Sequence, residues 1–139
     1  MRAGVPSDHP FDYPAGQAVL IATHGGEGRR PYSIAAAPED TRRFLELLVG
    51  VDADGVPEPH LTLDAGALVD VEGPIGTFTF PVDPPERRFV FIAGGTGIAP
   101  LRAMLRHAQG LPHENIGVFY SARTPDDFAA EEWGQAPLA

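Results

Sequence analysis

Residues 89–101 read FVFIAGGTGIAPL, a pattern that predicts a strand, a glycine turn and a helix in succession. The apolar run at residues 89–93 is typical of a strand that is buried on both faces. Two glycines interrupt it, after which Thr96 can cap a helix and Pro100 is tolerated only in that helix's first turn. Apolar residues then follow at helical spacing: Leu101, Met104, Leu105 and Ala108.

The glycine turn, residues 94–97, can serve a ligand in two ways. Its backbone can approach a ligand closely because glycine has no Cβ, and the helix start offers unpaired N–H groups to a phosphate. The glycines stand at positions 94, 95 and 97, so their spacing is not that of the G-x-G-x-x-G dinucleotide fingerprint. An ordinary strand–helix turn, in which the glycines serve packing, is equally consistent with this stretch alone.

The composition of the 139-residue chain argues against several classes of function. Its net charge of −9 disfavours nucleic acid and anionic membrane as partners. The absence of cysteine excludes disulfides, thiolate zinc sites and cysteine-ligated iron–sulfur clusters within these residues. The histidines form no i,i+4 pair and there is no Gly-x-Ser-x-Gly elbow, so neither a metal site nor hydrolase chemistry is predicted.

The predicted location of the protein is the cytoplasm. No apolar run is long enough to span a bilayer, so no contact with a membrane is expected. The first residues also lack the basic-then-apolar pattern of a secretory signal.

The part of the chain before residue 81 predicts a series of strands. Residues 1–10 have no period and predict a tail or loop, and residues 57–63 allow one short helical turn. Gly73-Pro74 is predicted to end the last regular strand, and residues 77–80 form one further alternating piece. The predicted strands are residues 17–22, 32–35, 44–51 and 68–72.

The remainder of the chain follows a different pattern. Residues 81–85 contain three prolines and are the best candidate for a linker. Strand 88–93, helix 98–108 and strand 116–120 then form a βαβ unit, which normally gives a parallel sheet. The chain is therefore predicted to hold two domains, residues 1–85 and residues 86–139.

Residues 30–33 read RPYS and form a second informative stretch, the RPYS motif. Pro31 favours an extended chain, so Arg30 and Tyr32 point to one face of a strand and Ser33 to the other. Arginine is suited to bidentate phosphate contact, tyrosine to stacking on a ring, and serine to hydrogen bonding. A surface arginine, a core tyrosine and a strand serine without a ligand remain an alternative for this motif alone.

The two stretches together carry a resemblance to a known family. The RPYS motif, then Gly73-Pro74-Ile75-Gly76, then the GGTGIAP of residues 94–100 resembles the ferredoxin–NADP reductase-like flavoprotein superfamily over about residues 11–133. The resemblance implies a Greek-key FAD-binding β-barrel followed by the start of an α/β parallel-sheet NAD(P)-binding domain. It also implies a flavin-dependent oxidoreductase that passes a hydride from NAD(P)H to FAD and electrons on to a protein or small-molecule acceptor.

The resemblance assigns a role to each motif. In the RPYS motif, Arg30 would contact the FAD pyrophosphate, Tyr32 the flavin ring or ribityl chain, and Ser33 the region of flavin N5 as the catalytic residue. The other cofactor-binding residues implied are Pro31 of the same motif, Gly73 and Pro74 at the domain junction, Gly94, Gly95, Thr96, Gly97 and Pro100 at the nicotinamide dinucleotide, and Ser121 and Arg123 at the adenosine ribose. An arginine at that last position predicts a preference for NADPH over NADH.

The chain departs from the family pattern at three places. The family's phosphate-binding Gly-x-x-Ser/Thr falls at residues 55–58, where Glu58 would repel a pyrophosphate, so that site is not carried over. Compared with family members, the sequence is expected to lack about two barrel strands before Phe11 and further strands after Trp133. The barrel is therefore expected to be N-terminally incomplete and the α/β domain C-terminally truncated. Uncovered strand edges then predict self-association, a partner subunit or partial unfolding.

Two functions remain open from the sequence. One is an FAD-dependent NAD(P)H oxidoreductase or its core. The other is a truncated, non-catalytic flavin- or nucleotide-binding fragment, or a subunit that acts with a partner chain.

Overall fold

The computed structural model describes residues 2–4, 11–40, 44–50, 61 and 64–125. In these residues strands alternate with loops up to residue 94, and a helix and a final strand follow. The elements are β1 Arg2–Gly4, β2 Ala18–Thr23, β3 Arg30–Ser33, β4 Phe44–Glu46, β5 Val69–Ile75, β6 Arg88–Gly94, a 3₁₀ turn Gly95–Gly97, α1 Ile98–Gln109 and β7 Asn115–Ser121.

The first half is built from two small antiparallel sheets. One has the order β3-β2-β5, and the other pairs β1 with β4. A bridge between Ile34 and Leu47 connects the two sheets. Among the described residues these pairings give part of a barrel, without a closed circuit of strands.

A common apolar core lies between these strands. Val19 and Ile21 alternate along β2 and are fully buried, as expected for a strand with one face on a core. The hydroxyl of Tyr13 enters the same core and donates a hydrogen bond to the Ala36 carbonyl at 3.0 Å. The buried members of the cluster are Tyr13, Val19, Ile21, Ile34, Leu45, Leu47 and Leu61.

Two sequence predictions at the ends of this half are wrong. Residues 1–10 were predicted as a tail or loop, but β1 lies within them and pairs with β4. A three-residue strand is too short to show a period, which explains the error. Residues 77–80 alternate in sequence but form no strand in the described part of the chain. Phe80 instead donates its backbone N–H to the Ala15 carbonyl at 2.9 Å.

The prediction that Gly73-Pro74 ends a strand is also wrong, because β5 continues through both residues to Ile75. Val19 of β2 faces these two residues, which makes a β-bulge in the pairing of β2 with β5. Proline is tolerated here because β5 lies at the edge of its sheet, where its missing N–H breaks no ladder. Of the segment predicted as strand 44–51, the regular part is Phe44–Glu46. The turn predicted at 57–63 lies outside the described residues except for Leu61.

The βαβ unit of the second half is confirmed. Strands β6 and β7 pair in parallel along their whole length, from Arg88 opposite Asn115 to Gly94 opposite Ser121. Helix α1 covers one face of this pair, and Pro100 lies in its first turn as predicted. The ends of all three elements differ from the prediction by only one residue.

The prediction that β6 is buried on both faces is wrong. Phe91 and Ala93 face α1 and are buried, whereas Val90 and Ile92 on the opposite face are 63% and 73% exposed. Phe119 of β7, the partner of Ile92, is 65% exposed. The apolar run identified a strand with two apolar faces, but within the described residues only one of them is covered.

The two halves share a second core cluster, although residue 85 remains only a predicted boundary. Ala15, from the turn before β2, is buried with Phe91 of β6 and Met104 of α1. The Phe80 ring packs against Phe89 and Phe91, with ring centroids 5.2 and 6.0 Å apart. The segment around the prolines is therefore anchored at both ends. No helix in the described part of the chain is long and apolar enough to cross a membrane.

Candidate functional site

The RPYS motif forms the whole of β3 and pairs with β2. Tyr32 is opposite Val19 and Ser33 is opposite Ala18. Arg30 is exposed, so an anionic ligand can reach its guanidinium from solvent. Tyr32 is half-buried and packs against the first core cluster. Its ring is thus fixed by the core on one side while part of its surface remains accessible.

Gly73-Pro74 lies on the other side of β2 from the RPYS motif. Ala18 pairs with Ser33 on one side and with Ile75 on the other. With neighbouring strands about 4.8 Å apart, the two motifs are therefore about 10 Å apart. Gly73 has φ +143°, and a Cβ there would lie 3.3 Å from the Ala18 carbonyl oxygen, so the bulge requires glycine. The fold thus places two motifs that are distant in sequence on the two sides of one strand, β2.

The glycine turn lies at the carboxyl end of β6, next to the end of β7. Gly94 pairs with Ser121, and a Cβ on Gly94 would lie 3.5 Å from the Ser121 Oγ. The Tyr120 hydroxyl donates a hydrogen bond to the Gly95 carbonyl at 3.1 Å and so holds the turn. Ligands of open α/β sheets bind at the carboxyl ends of strands, which is where these residues meet.

The glycines at 95 and 97 do not serve packing. A Cβ added at either position would have no atom within 4 Å, so the space above the turn is open. Gly95 also has φ +52°, a conformation that favours glycine. These observations favour close approach of a ligand to the backbone and disfavour the alternative of a turn whose glycines are needed for helix packing.

The start of α1 differs from the sequence prediction. Thr96 does not cap the helix, because Gly97 occupies the N-cap position and no side chain caps it. The Ile98 N–H is already bonded to the carbonyls of Gly95 and Thr96 in the 3₁₀ turn, and Pro100 has no N–H. Two of the first three helical residues therefore offer no donor to a phosphate. The prediction of a helix-start phosphate site is weakened, because the 3₁₀ turn consumes one of the donors.

A cluster of charged residues surrounds the far ends of β2 and β5. Asp70 is hydrogen bonded to His24 Nδ1 at 2.7 Å and accepts a bond from the Gly25 N–H at 3.3 Å. The hydrogen bond with His24, followed by that from Gly25, lowers the pKa of the Asp70 carboxyl below its ordinary value. Arg29 donates to Glu72 at 3.1 Å, so this arginine is engaged by the sheet. Arg29 is exposed like its neighbour Arg30 and lies outside the RPYS motif, so it provides a matched comparison.

Two further residues near the site were missed by sequence reasoning. Tyr120 was read only as the last residue of a strand, and its bond to the glycine turn follows from the parallel register. Arg102 lies on α1 and is only 6% exposed. It binds Glu46 and the Ala35 carbonyl, both in the first half. No sequence signal separates it from a solvated helix arginine, since its partners are distant along the chain.

The residues present fit both cofactors of the implied family. For FAD, the RPYS motif offers an accessible cation, a fixed aromatic ring and a hydroxyl on one strand. For a nicotinamide dinucleotide, the glycine turn offers open backbone beside Ser121, and exposed Arg123 follows β7. Within the described residues no group of three or more histidine or acidic side chains could hold a metal ion.

Comparison with known proteins supports the same cofactors. The oxidoreductase FAD-binding domain family matches residues 2–80, and the oxidoreductase NAD-binding domain family matches residues 91–137. NADH oxidoreductase HCR of Escherichia coli is 32% identical over 133 residues, which are 92% of this chain and 41% of that protein. Ferredoxin–NADP reductase B of Sorangium cellulosum is 36% identical over 122 residues, 84% of this chain and 49% of that protein.

A solved structure gives the same picture. The cytochrome P450 reductase GcoB of Amycolatopsis superposes with a TM-score of 0.72 at 30% identity, over 91% of this chain and 39% of that one. The chain thus spans less than half the length of these three relatives. The matched domains confirm FAD and NAD(P)H as cofactors and confirm the predicted fold class. Because the FAD-binding family covers more than half of its residues, the chain belongs to the ferredoxin–NADP reductase-like superfamily of FAD- and NAD(P)-binding oxidoreductases.

Proposed function

We propose that the chain is an NAD(P)H oxidoreductase that would hold FAD along β3 and NAD(P)H at the glycine turn, so that a hydride would go from NAD(P)H to FAD and electrons on to an acceptor. The observation that carries this proposal is a contact between the two halves of the chain that carry the motifs. Arg102 of α1, the helix that follows the glycine turn, donates to the carbonyl of Ala35 at 2.9 Å, just beyond the RPYS motif. The two candidate sites are thus held on one body.

Each residue of the first site then has a defined task. Arg30 binds the pyrophosphate of FAD with charge-assisted hydrogen bonds, in a half of the chain that is otherwise acidic. Tyr32 lies against the flavin ring or ribityl chain, and Ser33 provides a hydrogen bond near flavin N5. Gly73-Pro74 keeps the adjacent sheet edge free of a bulky side chain. FAD, when bound, supplies the capacity to accept a hydride and to release electrons singly.

The second site binds the hydride donor. The open backbone of residues 94–97 lets the nicotinamide approach closely, and Pro100 fixes the first turn of α1 behind it. Ser121 and Arg123 contact the adenosine ribose, where an arginine accommodates a 2′-phosphate. The task of the chain is to orient the two cofactors, since the cofactors carry the redox chemistry.

The relatives suggest the class of acceptor. One is named a ferredoxin–NADP reductase and another a cytochrome P450 reductase. We therefore favour a redox protein as the acceptor over a small molecule. The exposed apolar face formed by Val90, Ile92 and Phe119 favours a second candidate function, a cofactor-binding subunit that turns over only together with a partner chain.

A comparison of two ligands tests the flavin site. Replacing Arg30 with alanine removes the contact to the pyrophosphate, which FAD has and riboflavin lacks. A hydrogen bond to a charged group contributes about 1.5–3 kcal/mol, so the Kd for FAD should rise by about 10- to 150-fold. The Kd for riboflavin should change by less than about 3-fold, because a pyrophosphate contact is absent from that complex.

The matched control is Arg29→Ala, which removes the neighbouring arginine that binds Glu72. It should leave the ratio of the FAD and riboflavin affinities close to that of the parent chain. Fluorescence titration measures both ligands with all three proteins. If Arg30→Ala loses affinity for FAD and for riboflavin by the same factor, the assignment of Arg30 is refuted. If the parent chain shows no saturable binding of FAD, the proposed function is refuted.

A further inference from the structure

Arg102 is the one charged side chain among the described residues that is buried. Burying a guanidinium is unfavourable unless its donors are satisfied by partners of good geometry. Arg102 Nη1 lies 3.0 Å from Glu46 Oε1 and 2.9 Å from the Ala35 carbonyl oxygen. Both partners belong to the first half of the chain, whereas Arg102 belongs to the second.

The two partners form a single rigid platform. The Ala35 N–H donates to the Glu46 carbonyl at 2.7 Å, so the backbone after β3 is tied to β4. Glu46 then presents its carboxylate, and Ala35 its carbonyl, to the same guanidinium. Both acceptors contact Nη1, and the N–H directions of this nitrogen are fixed because the guanidinium is planar. The two contacts therefore restrain both distance and orientation.

Arg102 is close in sequence to the glycine turn, and its partner Ala35 is close in sequence to the RPYS motif. It lies five residues after Gly97, the last glycine of the glycine turn. Ala35 lies two residues after Ser33, the end of the RPYS motif. One side chain therefore connects the helix that follows the glycine turn with the segment that follows the RPYS motif.

The other contacts between the halves give less directional restraint. Arg106 binds Asp40 at 3.1 Å, but both side chains are more than two-fifths exposed and therefore screened by water. His107 contacts Glu39, whose side chain is also exposed. The packing of Ala15 against Met104 resists separation of the halves but, being apolar, fixes no orientation.

We propose that Arg102 is a positioning residue that sets the placement of the glycine turn relative to the RPYS motif. It belongs to neither the RPYS motif nor the glycine turn. Its replacement should leave both binding sites intact but should broaden the distribution of their separations. The effect on catalysis rests on the proposed function, since a misplacement of about 1 Å can slow a reaction about 10²-fold.

Paired spin labels test the placement directly. The chain has no cysteine, so Glu27→Cys in the first half and Gln109→Cys at the end of α1 give two unique, exposed labelling positions. In Arg102→Met, the distance distribution measured by pulsed electron spin resonance should be broader than in the doubly labelled parent. Glu46→Gln, which keeps the shape of the partner, should give a smaller broadening.

The matched control is Arg88→Met. Arg88 binds Glu114 at the same 3.0 Å as Arg102 binds Glu46, but both members of the Arg88–Glu114 pair lie in the second half. Its replacement should leave the distribution as narrow as in the parent. If Arg102→Met does not fold, as judged by circular dichroism, Glu46→Gln and Arg102→Lys decide the question. An unchanged distribution in the variants of this pair would overturn the proposal.

Flavin reduction gives the second readout. In the FAD-loaded chain at saturating NAD(P)H, Arg102→Met should slow reduction at least about 10-fold. Its FAD Kd should change by less than about 3-fold, because Arg102 is outside the flavin site. A broadened distribution with an unchanged rate would overturn the positioning role. If the parent itself reduces no flavin, the proposed function fails, and the label distances alone still decide whether Arg102 sets the placement.

Discussion

Replacing Gly16 with alanine should destabilise the junction between the two halves. Gly16 has φ +106°, in the region that favours glycine. A Cβ there would lie 2.2 Å from Met104 Cε and 2.4 Å from the carbonyl oxygen of Phe78. The methionine methyl can move aside, but the carbonyl belongs to the backbone. That backbone is held nearby by the 2.9 Å hydrogen bond from Phe80 to Ala15.

The magnitude follows from two contributions. The left-handed backbone conformation costs about 1–2 kcal/mol for a residue with a Cβ. Overpacking of a filled site costs about 1–3 kcal/mol. The free energy of unfolding should therefore fall by about 2–5 kcal/mol, a large part of the stability of a typical domain.

Urea unfolding followed by circular dichroism measures the effect. The control is Gly28→Ala, because Gly28 has φ +81° but a Cβ there would have no atom within 4 Å. This variant isolates the backbone contribution and should lose about 1–2 kcal/mol. If Gly16→Ala loses no more than Gly28→Ala, then α1 does not pack on the turn before β2 as described.

Two further predictions concern cofactor choice and pH. The parent chain should prefer NADPH to NADH. In Arg123→Gln, the ratio of kcat/KM for NADPH to kcat/KM for NADH should fall by about 10-fold, which corresponds to about 1.4 kcal/mol. A clear preference of the parent chain for NADH would contradict the role of Arg123. The pKa of the Asp70 carboxyl is lowered from its ordinary value of 3.8, so its hydrogen bonds stabilise the fold at pH values above 3.8. This stabilisation is lost as the pH falls below 3.8. Asp70→Asn should therefore show a weaker loss of stability on acidification, measured by urea unfolding across that range, and an identical pH dependence in both chains would refute the effect.

The βαβ unit could be predicted from sequence because its signals are local. An apolar run, a glycine turn and a 3.6-residue period specify β6, α1 and β7 within one residue of their observed ends. The meeting of two candidate site residues was predictable from the same signals. The parallel register alone brings Ser121 beside Gly94.

The sequence predictions that were wrong concerned features that depend on contacts between residues distant in sequence. β1 has only three residues and is a strand because β4 pairs with it. Gly73-Pro74 looked like a strand terminator, yet a bulge on an edge strand accommodates it. Burial of both faces of β6 required covering elements that the described residues place on one face only.

Arg102 also could not be predicted from the local sequence. Nothing in the local sequence distinguishes it from a solvated helix arginine, and only the approach of Glu46 and Ala35 from the first half makes it buried. The role of Thr96 failed for a related reason, since a 3₁₀ turn intervened where a capped helix start was expected. Neither outcome can be read from a local pattern.

The central claim is that the chain brings a nicotinamide cofactor and FAD together for hydride transfer. The most direct test is to mix the FAD-loaded chain with NADPH under anaerobic conditions and to follow the loss of oxidised-flavin absorbance. We predict one reduction phase, with a rate that saturates as NADPH rises. Flavin that stays oxidised with both NADPH and NADH, in a chain that demonstrably binds FAD, would contradict the claim and would favour the non-catalytic subunit.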